Sequence, residues 1–130
     1  MLLDTSVIVE ILGRPATDPF VKRIMKLLDE QPLFASPIHM GEVADATRRA
    51  GLPPEATVAK ALQIVELIPL DWEIAVAASN LKAEARKRKV GKEFSLIDGV
   101  GLASARSRGL PMVTLDREFE GFPDATVVHR

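Results

Sequence analysis

Short apolar runs of strand length alternate along this chain with longer stretches in which apolar residues recur at helical spacing. The first run, residues 1–3, is apolar on both faces and therefore belongs in the middle of a sheet. Further strands are predicted at residues 33–35, 68–70, 112–115 and 126–128. Pro69 restricts the strand at residues 68–70 to a sheet edge. This alternation predicts an α/β fold. We expect three layers, α/β/α, around a central, mainly parallel sheet of four to five short strands.

Helix starts are marked by capping residues, several of which are followed by proline. Asp18-Pro19 and Ser36-Pro37 both combine an N-cap side chain with proline in the first turn. Together with the helical spacing, these signals predict helices at about residues 5–12, 19–30, 37–49, 54–65, 72–85 and 95–107. No repeat and no linker interrupts the pattern, so we expect one domain over residues 1–130.

Composition narrows the chemistry that this chain can perform. The chain has no cysteine, which excludes disulfides, thiolate metal sites and a cysteine nucleophile. It has two histidines, so a zinc site would need mostly carboxylate ligands. We expect His39 on a helix surface and His129 in the terminal strand or tail. The apolar runs are too short to cross a bilayer and no signal peptide is evident, which predicts a cytoplasmic protein without a membrane partner.

Four acidic residues lie at the ends of apolar segments, or one turn inside a helix beside them: Asp4, Glu42, Asp98 and Asp116. In an open parallel sheet, ligands bind in the crevice outside the carboxyl ends of the strands. Carboxylates delivered there from distant segments would repel one another unless a hard cation with oxygen ligands were bound. The pattern therefore predicts a site for magnesium or manganese.

Each acid also has an ordinary structural explanation. Asp4 could be a helix N-cap, and Glu42 a solvated charge on a helix. Asp98 stands three residues after Ser95, which matches a capping box. Asp116 could be a turn residue at a strand end. A carboxylate near a helix N-terminus is favoured in its ionised form, so capping and metal binding are compatible for Asp98.

Two hydroxyl residues accompany the acids. Ser6 could bond neighbouring backbone or hold a carboxylate in place. Thr114 shares a strand face with Asp116 by the two-residue alternation, so we expect its hydroxyl to brace that carboxylate.

The motifs LDTS with Asp4, a helical Glu42, LIDG with Asp98 and VTLDREF with Asp116 resemble a PIN-domain ribonuclease. Across essentially the whole chain, the resemblance is strongest to the VapC-type toxins of toxin–antitoxin pairs. It implies a catalytic set of these four acids, which hydrolyses RNA phosphodiester bonds with Mg²⁺ or Mn²⁺. The metal would be held by Asp4, Asp98 and Asp116, the first two foremost. Ser6 and Thr114 match the supporting hydroxyl positions. The resemblance leaves open whether Glu42 or Asp116 orients the attacking water.

The chain departs from the family pattern after Asp98. Members of the family usually continue with alanine or another helix former, whereas Gly99 and Gly101 stand here. Each glycine inside a helix costs roughly 1 kcal/mol relative to alanine. The helix is therefore either loosened or packed closely against its neighbours. Glu118 occupies a position where a further acid sometimes occurs, and it is a candidate fifth member of the pocket.

A basic segment precedes the Asp98 motif. Residues 82–92 read KAEARKRKVGK, with six basic residues and one glutamate. Arg86, Lys87 and Arg88 could steer the RNA backbone towards an acidic pocket that would otherwise repel it. The alternative is a solvated helix end, where cations are favoured. With five phenylalanines, one tryptophan and no tyrosine, aromatics are too few for extensive base stacking.

The resemblance also implies partners: a cognate antitoxin protein and a second copy of the chain in a homodimer. The apolar stripe Val58, Ala61, Leu62 and Val65, with the helix around residues 21–28, belongs to the core or to a dimer surface, and the core is the default. Other functions stay open. They are a PIN-domain nuclease outside any toxin system, a phosphatase with Asp4 as nucleophile, and a catalytically inactive binding module. The phosphatase usually has a second aspartate where Ser6 stands.

Overall fold

The computed structural model describes residues 1–130, and five short strands form its centre. They are β1 (Leu2–Leu3), β2 (Phe34–Ala35), β3 (Glu66–Leu67), β4 (Met112–Thr114) and β5 (Ala125–Val127). One sheet contains them all in the order β3-β2-β1-β4-β5, and every neighbouring pair is parallel. The apolar run at the start of the chain therefore lies in the middle of the sheet, as predicted.

Six helices are interspersed with the strands along the chain. They are α1 (Thr5–Gly13), α2 (Pro19–Leu28), α3 (Pro37–Arg49), α4 (Pro54–Ile64), α5 (Trp72–Arg86) and α6 (Leu96–Ser107). The predicted caps are formed: Asp18 accepts hydrogen bonds from the first turn of α2, and Ser36 accepts one from Ile38 of α3. Asp71 likewise caps α5 by accepting one from Ile74. Helix α2 ends earlier than expected because Asp29 and Glu30 adopt left-handed backbone angles, with φ of 40° and 56°.

Adjacent leucines of β1 enter two separate cores. Leu2 packs with residues of α5, α6 and β4, among them Ile74, Leu102 and Met112. Leu3 packs on the opposite face with residues of α1 to α4, among them Ile8, Ile24, Val43 and Ala61. Full burial of one such side chain contributes about 1.5–3 kcal/mol. The predicted three-layer α/β/α architecture is confirmed.

The third strand is displaced from its predicted position. We expected residues 68–70, and the strand is Glu66–Leu67. The backbone N–H groups of Glu66 and Ile68 bond to β2 and its flank, but Pro69 has no N–H to continue the ladder. The edge location is correct, whereas the run was placed too far along the chain. Strand β5 begins one residue before its predicted start.

The apolar stripe on α4 is only partly in the core. Ala61 and Val65 are buried, but Leu62 is 47% exposed. Helix α2 shows the same division, since Ile24 is buried while Met25 faces solvent. The core assignment is therefore right for half of the stripe and wrong for Leu62.

The two helix glycines after Asp98 mark close approaches between elements. A Cβ atom on Gly99 would lie 2.4 Å from the carbonyl oxygen of Ala78 on α5. A Cβ atom on Gly101 would lie 3.1 Å from Nε2 of His39 and 2.9 Å from the terminal methyl of Met112. Of the two expectations for this helix, close packing is the one that the structure shows.

We predict that Gly99→Ala destabilises the protein. Alanine favours a helix by about 1 kcal/mol, but the added methyl meets backbone that cannot rotate away, and such overpacking costs typically 1–3 kcal/mol. Urea unfolding should therefore give a lower midpoint than wild type. Gly41→Ala is the matched control, because Gly41 is also helical and has open space around its Cβ position. Equal or higher stability for Gly99→Ala would contradict the close-packing assignment.

Candidate metal centre

The carboxylate of Asp4 lies at the carboxyl end of β1 and is held by three hydrogen bonds. The backbone N–H of Thr5 donates to Oδ1 at 2.9 Å, so Asp4 is the N-cap of α1. The hydroxyls of Ser6 and Thr114 both donate to Oδ2, at 3.0 Å and 2.6 Å. The side chain is therefore fixed in one orientation, and it is buried, with 7% of the residue exposed.

Ser6 and Thr114 join Asp4 to the neighbouring strand β4 and the residues directly after it. The Ser6 hydroxyl accepts a hydrogen bond from the N–H of Leu115 at 3.0 Å, so it bonds both backbone and carboxylate. Thr114 accepts a bond from the N–H of Asp116 at 3.0 Å. The expectation that Thr114 braces the Asp116 carboxylate is wrong. Strand β4 ends at Thr114, so the two-residue alternation no longer governs Asp116.

Glu42 of α3 reaches the same region through a partner that the sequence did not single out. The hydroxyl of Thr5 donates to its Oε1 at 2.6 Å. Thr5 stands between Asp4 and Ser6 in the LDTS motif, and that position is the only signal by which sequence reasoning could have found it.

Asp98 forms the predicted capping box at the start of α6. Its N–H donates to the Ser95 hydroxyl at 3.1 Å, and its Oδ2 accepts the Ser95 N–H at 2.8 Å. The other carboxylate oxygen has no hydrogen-bond donor in this box, which leaves it available for a ligand. Asp116 is used similarly: its Oδ1 accepts the N–H of Glu118 and caps the short 3₁₀ turn Arg117–Phe119.

Glu118, the candidate fifth acid, has a contact of its own. Its Oε2 accepts the backbone N–H of Glu93 at 3.0 Å, which ties the loop before α6 to the 3₁₀ turn. The charge of Glu118 nevertheless contributes to the raised pKa of Asp116.

The four acids interact as one cluster. The pKa of Asp98 is raised from 3.8 to about 6, chiefly by burial; the charges of Asp4 and Asp116 add to the rise, and the hydrogen bonds to Ser95 oppose it. Burial also raises the pKa of Glu42 and that of Asp116, and the charge of Asp4 contributes to both. None of the four forms an ion pair with lysine or arginine. The negative charge is uncompensated within the protein, and its oxygen donors fit a hard divalent cation.

His39 corrects the sequence-based expectation, which placed it on a helix surface. It is 1% exposed, and its Nε2 lies 3.8 Å from Oδ1 of Asp4. Ligand atoms of Asp4, His39 and Glu42 lie within 4.8 Å of one another. Burial lowers the pKa of His39, although the charge of Asp4 opposes that change. Helical spacing did not reveal this position, because α6 covers the face of α3 that carries it.

The basic segment is divided between packing and solvent. Arg86 donates from Nε to the carbonyl of Phe94 at 2.9 Å. Arg88 stacks 4.2 Å from the ring centre of Phe122 and pairs with Glu84. By contrast, the side chains of Lys87 and Lys89 are exposed, and neither forms an ion pair.

A cavity of about 800 Å³ lies away from the acids, between α5 and the end of α6. The acid cluster is instead at the sheet edge where the strands end. No helix combines the length and the apolar character that a membrane crossing requires.

Residues 1–124 match the family model for the PIN domain, so the chain belongs to the PIN-domain family. None of the curated proteins compared with it matches significantly. Among solved structures, it is similar to a toxin–antitoxin complex from Klebsiella pneumoniae, with 20% identity, a TM-score of 0.77 and coverage of 99% of this chain and 98% of that one.

Two further structures are similar over most of their length. DNA-bound VapBC from Salmonella typhimurium is 25% identical with a TM-score of 0.68, and the match covers 98% of this chain and 96% of that one. A sarcin–ricin-loop-cleaving VapC toxin from Mycobacterium tuberculosis is 21% identical with a TM-score of 0.63, covering 93% and 90%. These likenesses concern the fold.

We predict that Asp98→Asn stabilises the metal-free protein at neutral pH. The folded state binds the Asp98 proton more tightly than the unfolded chain, so this group contributes stability below pH 3.8 that is lost as the pH rises to about 6. Removing the charge should restore about 1–2 kcal/mol above pH 6, after discounting for solvent screening, while asparagine still accepts the Ser95 N–H.

Urea unfolding in chelator at pH 5 and pH 8 measures this effect. The gain of Asp98→Asn over wild type should be larger at pH 8, and excess Mg²⁺ should reduce it by stabilising the wild type. A gain that is equal at both pH values would show that Asp98 carries no repulsion.

Proposed function

We propose that this protein is a metal-dependent endoribonuclease that hydrolyses RNA phosphodiester bonds. The observation that carries the proposal is that the charge of Asp4 acts on the pKa of each of the other three acids, Glu42, Asp98 and Asp116. Three of them have pKa values raised by burial and mutual charge, and none has a cationic side-chain partner. Membership of the PIN-domain family supports the nuclease assignment.

In this proposal Asp4, Asp98 and Asp116 hold Mg²⁺ or Mn²⁺. The bound cation would lower the pKa of a water molecule and neutralise charge on the phosphoryl oxygens. Glu42, fixed by Thr5, would orient the water for in-line attack on phosphorus. The oxygen of that water would bond to phosphorus and release a proton to solvent, while the bond from phosphorus to the leaving oxygen would break and that oxygen would take up a proton from solvent. Ser6 and Thr114 hold Asp4 in position throughout.

We predict that Asp4→Asn combined with Asp98→Asn abolishes RNA cleavage in Mg²⁺. Loss of a supporting residue around a bound metal costs roughly 10–100-fold in activity, and loss of two direct ligands should cost more. Gel analysis of a structured RNA measures fragment formation, and circular dichroism checks the fold. Glu55→Gln, an exposed neutralisation on α4, is the matched control and should cleave like wild type. Cleavage by the double variant at the wild-type rate would exclude the acid site.

We also propose that the basic segment steers RNA to the acids. Among Arg86, Lys87 and Arg88, the two arginines have packing partners within the protein, so the exposed Lys87 and its neighbour Lys89 are the groups best suited to meet phosphate. A positive surface beside the pocket would offset the repulsion between RNA and the carboxylates.

Replacing Lys87 and Lys89 with alanine should weaken RNA binding and flatten its salt dependence by about 0.7 per lost phosphate contact. Binding of a single-stranded RNA to the Asp98→Asn protein, measured by anisotropy over a range of KCl, gives this slope without cleavage. The control removes Lys22 and Lys26 from α2, on the opposite face of the sheet. If both pairs change the slope equally, the effect is one of net charge and not of steering.

We propose further that the protein is the toxin of a type II toxin–antitoxin pair, acting in the cytoplasm as a homodimer silenced by a cognate antitoxin. The similar structures are described as toxin–antitoxin complexes or toxins. Exposed apolar side chains on α2 and α4, among them Met25 and Leu62, offer surface for a protein partner. A small open reading frame beside the gene separates this role from that of a nuclease outside such a system.

The other functions are less well supported. A phosphatase with an aspartate nucleophile usually has a second aspartate two residues on, whereas Ser6 stands there and donates to Oδ2 of Asp4. A binding module without activity has no need for a cluster of self-repelling acids. Calorimetric titration with Mn²⁺ beside the cleavage assay distinguishes these functions from a nuclease.

A further inference from the structure

The imidazole of His39 carries a buried nitrogen without a hydrogen-bond partner. Nε2 is shielded from solvent and bonds to no other atom of the protein. Buried polar groups are rarely left in this state, so such an atom indicates a ligand or a movement that completes it. The atom faces Oδ1 of Asp4, 3.8 Å away, which is too long for a hydrogen bond.

The other ring nitrogen determines where the proton lies. The backbone N–H of Ser36 donates to Nδ1 at 3.0 Å, as part of the capping box of α3. Nδ1 therefore presents a lone pair, and the neutral ring carries its proton on Nε2. A protonated Nε2 cannot bind a cation. Although His39, Asp4 and Glu42 are close enough to share a metal, the Ser36 bond excludes His39 from the ligands.

Gly101 keeps the ring in place. A Cβ atom at this position would lie 3.1 Å from Nε2, so the glycine gives the imidazole room beside α6. The helix accepts about 1 kcal/mol of lost propensity for this arrangement. The glycine that departs from the family pattern and the buried histidine thus form one feature of this chain.

We propose that His39 is a positioning residue for the metal-binding carboxylate of Asp4. Ser36 holds the ring through Nδ1, and Gly101 leaves it room on the other side, so that Nε2–H points towards Oδ1. The distance between Nε2 and Oδ1 shortens to a hydrogen bond when Asp4 engages a divalent cation. The hydrogen bond then holds the carboxylate orientation, as donors to metal-bound carboxylates generally do. This inference rests on the proposed metal-dependent function.

Two substitutions separate the two nitrogens. The His39→Asn side chain places its oxygen where Nδ1 stands and keeps the bond from Ser36, but it does not reach Asp4. The His39→Gln side chain reaches the position of Nε2 with an N–H donor. Titration calorimetry with Mn²⁺ should show 10–100-fold weaker binding for His39→Asn. His39→Gln should stay much closer to wild type. Equal affinities for all three proteins, or weaker binding by His39→Gln than by His39→Asn, would overturn the proposal.

Nitrogen-15 spectra of the imidazole supply a readout independent of affinity. The Nε2–H tautomer should persist when Mg²⁺ is added, and its proton resonance should move downfield as the hydrogen bond forms. Loss of the Nε2 proton would instead make His39 a ligand and contradict the positioning role. Asp98→Asn distinguishes failure of the proposed metal-dependent function from failure of the His39 role. If wild type itself binds no Mn²⁺, the metal-dependent function fails. If wild type binds and only Asp98→Asn loses affinity, the His39 role alone fails.

Discussion

The hydrogen bond from Thr114 to Asp4 joins residues 110 positions apart, and the rest of the site is arranged around it. It exists because β1 and β4 pair in parallel with Leu3 opposite Val113, so both strands end at the same sheet edge. Ser6 makes a second connection across the same pair by accepting the N–H of Leu115. A slip of one residue would turn every side chain of a strand to the other face. The buried leucines of β1 prevent such a slip, and the core thereby sets the position of the carboxylate.

The acids perform structural and chemical tasks with the same side chains. Asp4 and Asp116 are the N-caps of the helical segments that follow them, and Asp98 completes the capping box of Ser95 at the start of α6. A cap uses one acceptor position of a carboxylate, which has about four. The ordinary explanation of each residue is therefore correct and does not compete with metal binding. Burial is the main cause that raises the pKa of Asp98 to about 6, and repulsion from Asp4 and Asp116 adds to the rise. A bound cation would relieve that repulsion.

Local patterns were sufficient to predict most of the fold and the location of the four acids. Caps, prolines and apolar runs are read from neighbouring residues, and each acid follows a strand end or a helix start that such signals mark. The contacts between distant elements were beyond that reach. The burial of His39 depends on a glycine in α6, and the partner of Thr114 depends on where β4 stops. The position of β3 was missed for the same reason, because its pairing with β2 is set by the tertiary structure. That pairing ends before Pro69, which has no N–H to continue it.

Packed side chains connect the basic segment to the residues that follow Asp116. Phe94, two residues after the basic segment, meets the ring of Phe119 edge-on at 5.0 Å. Arg88 covers Phe122, and Gly121 leaves the space that its guanidinium occupies. Glu118 adds a hydrogen bond from the same turn to the loop before α6. Aromatic packing, a cation–π contact and a hydrogen bond thus join the basic segment and the loop after it to the residues that follow Asp116. The four acids and the exposed Lys87 and Lys89 accordingly form no ion pair with one another.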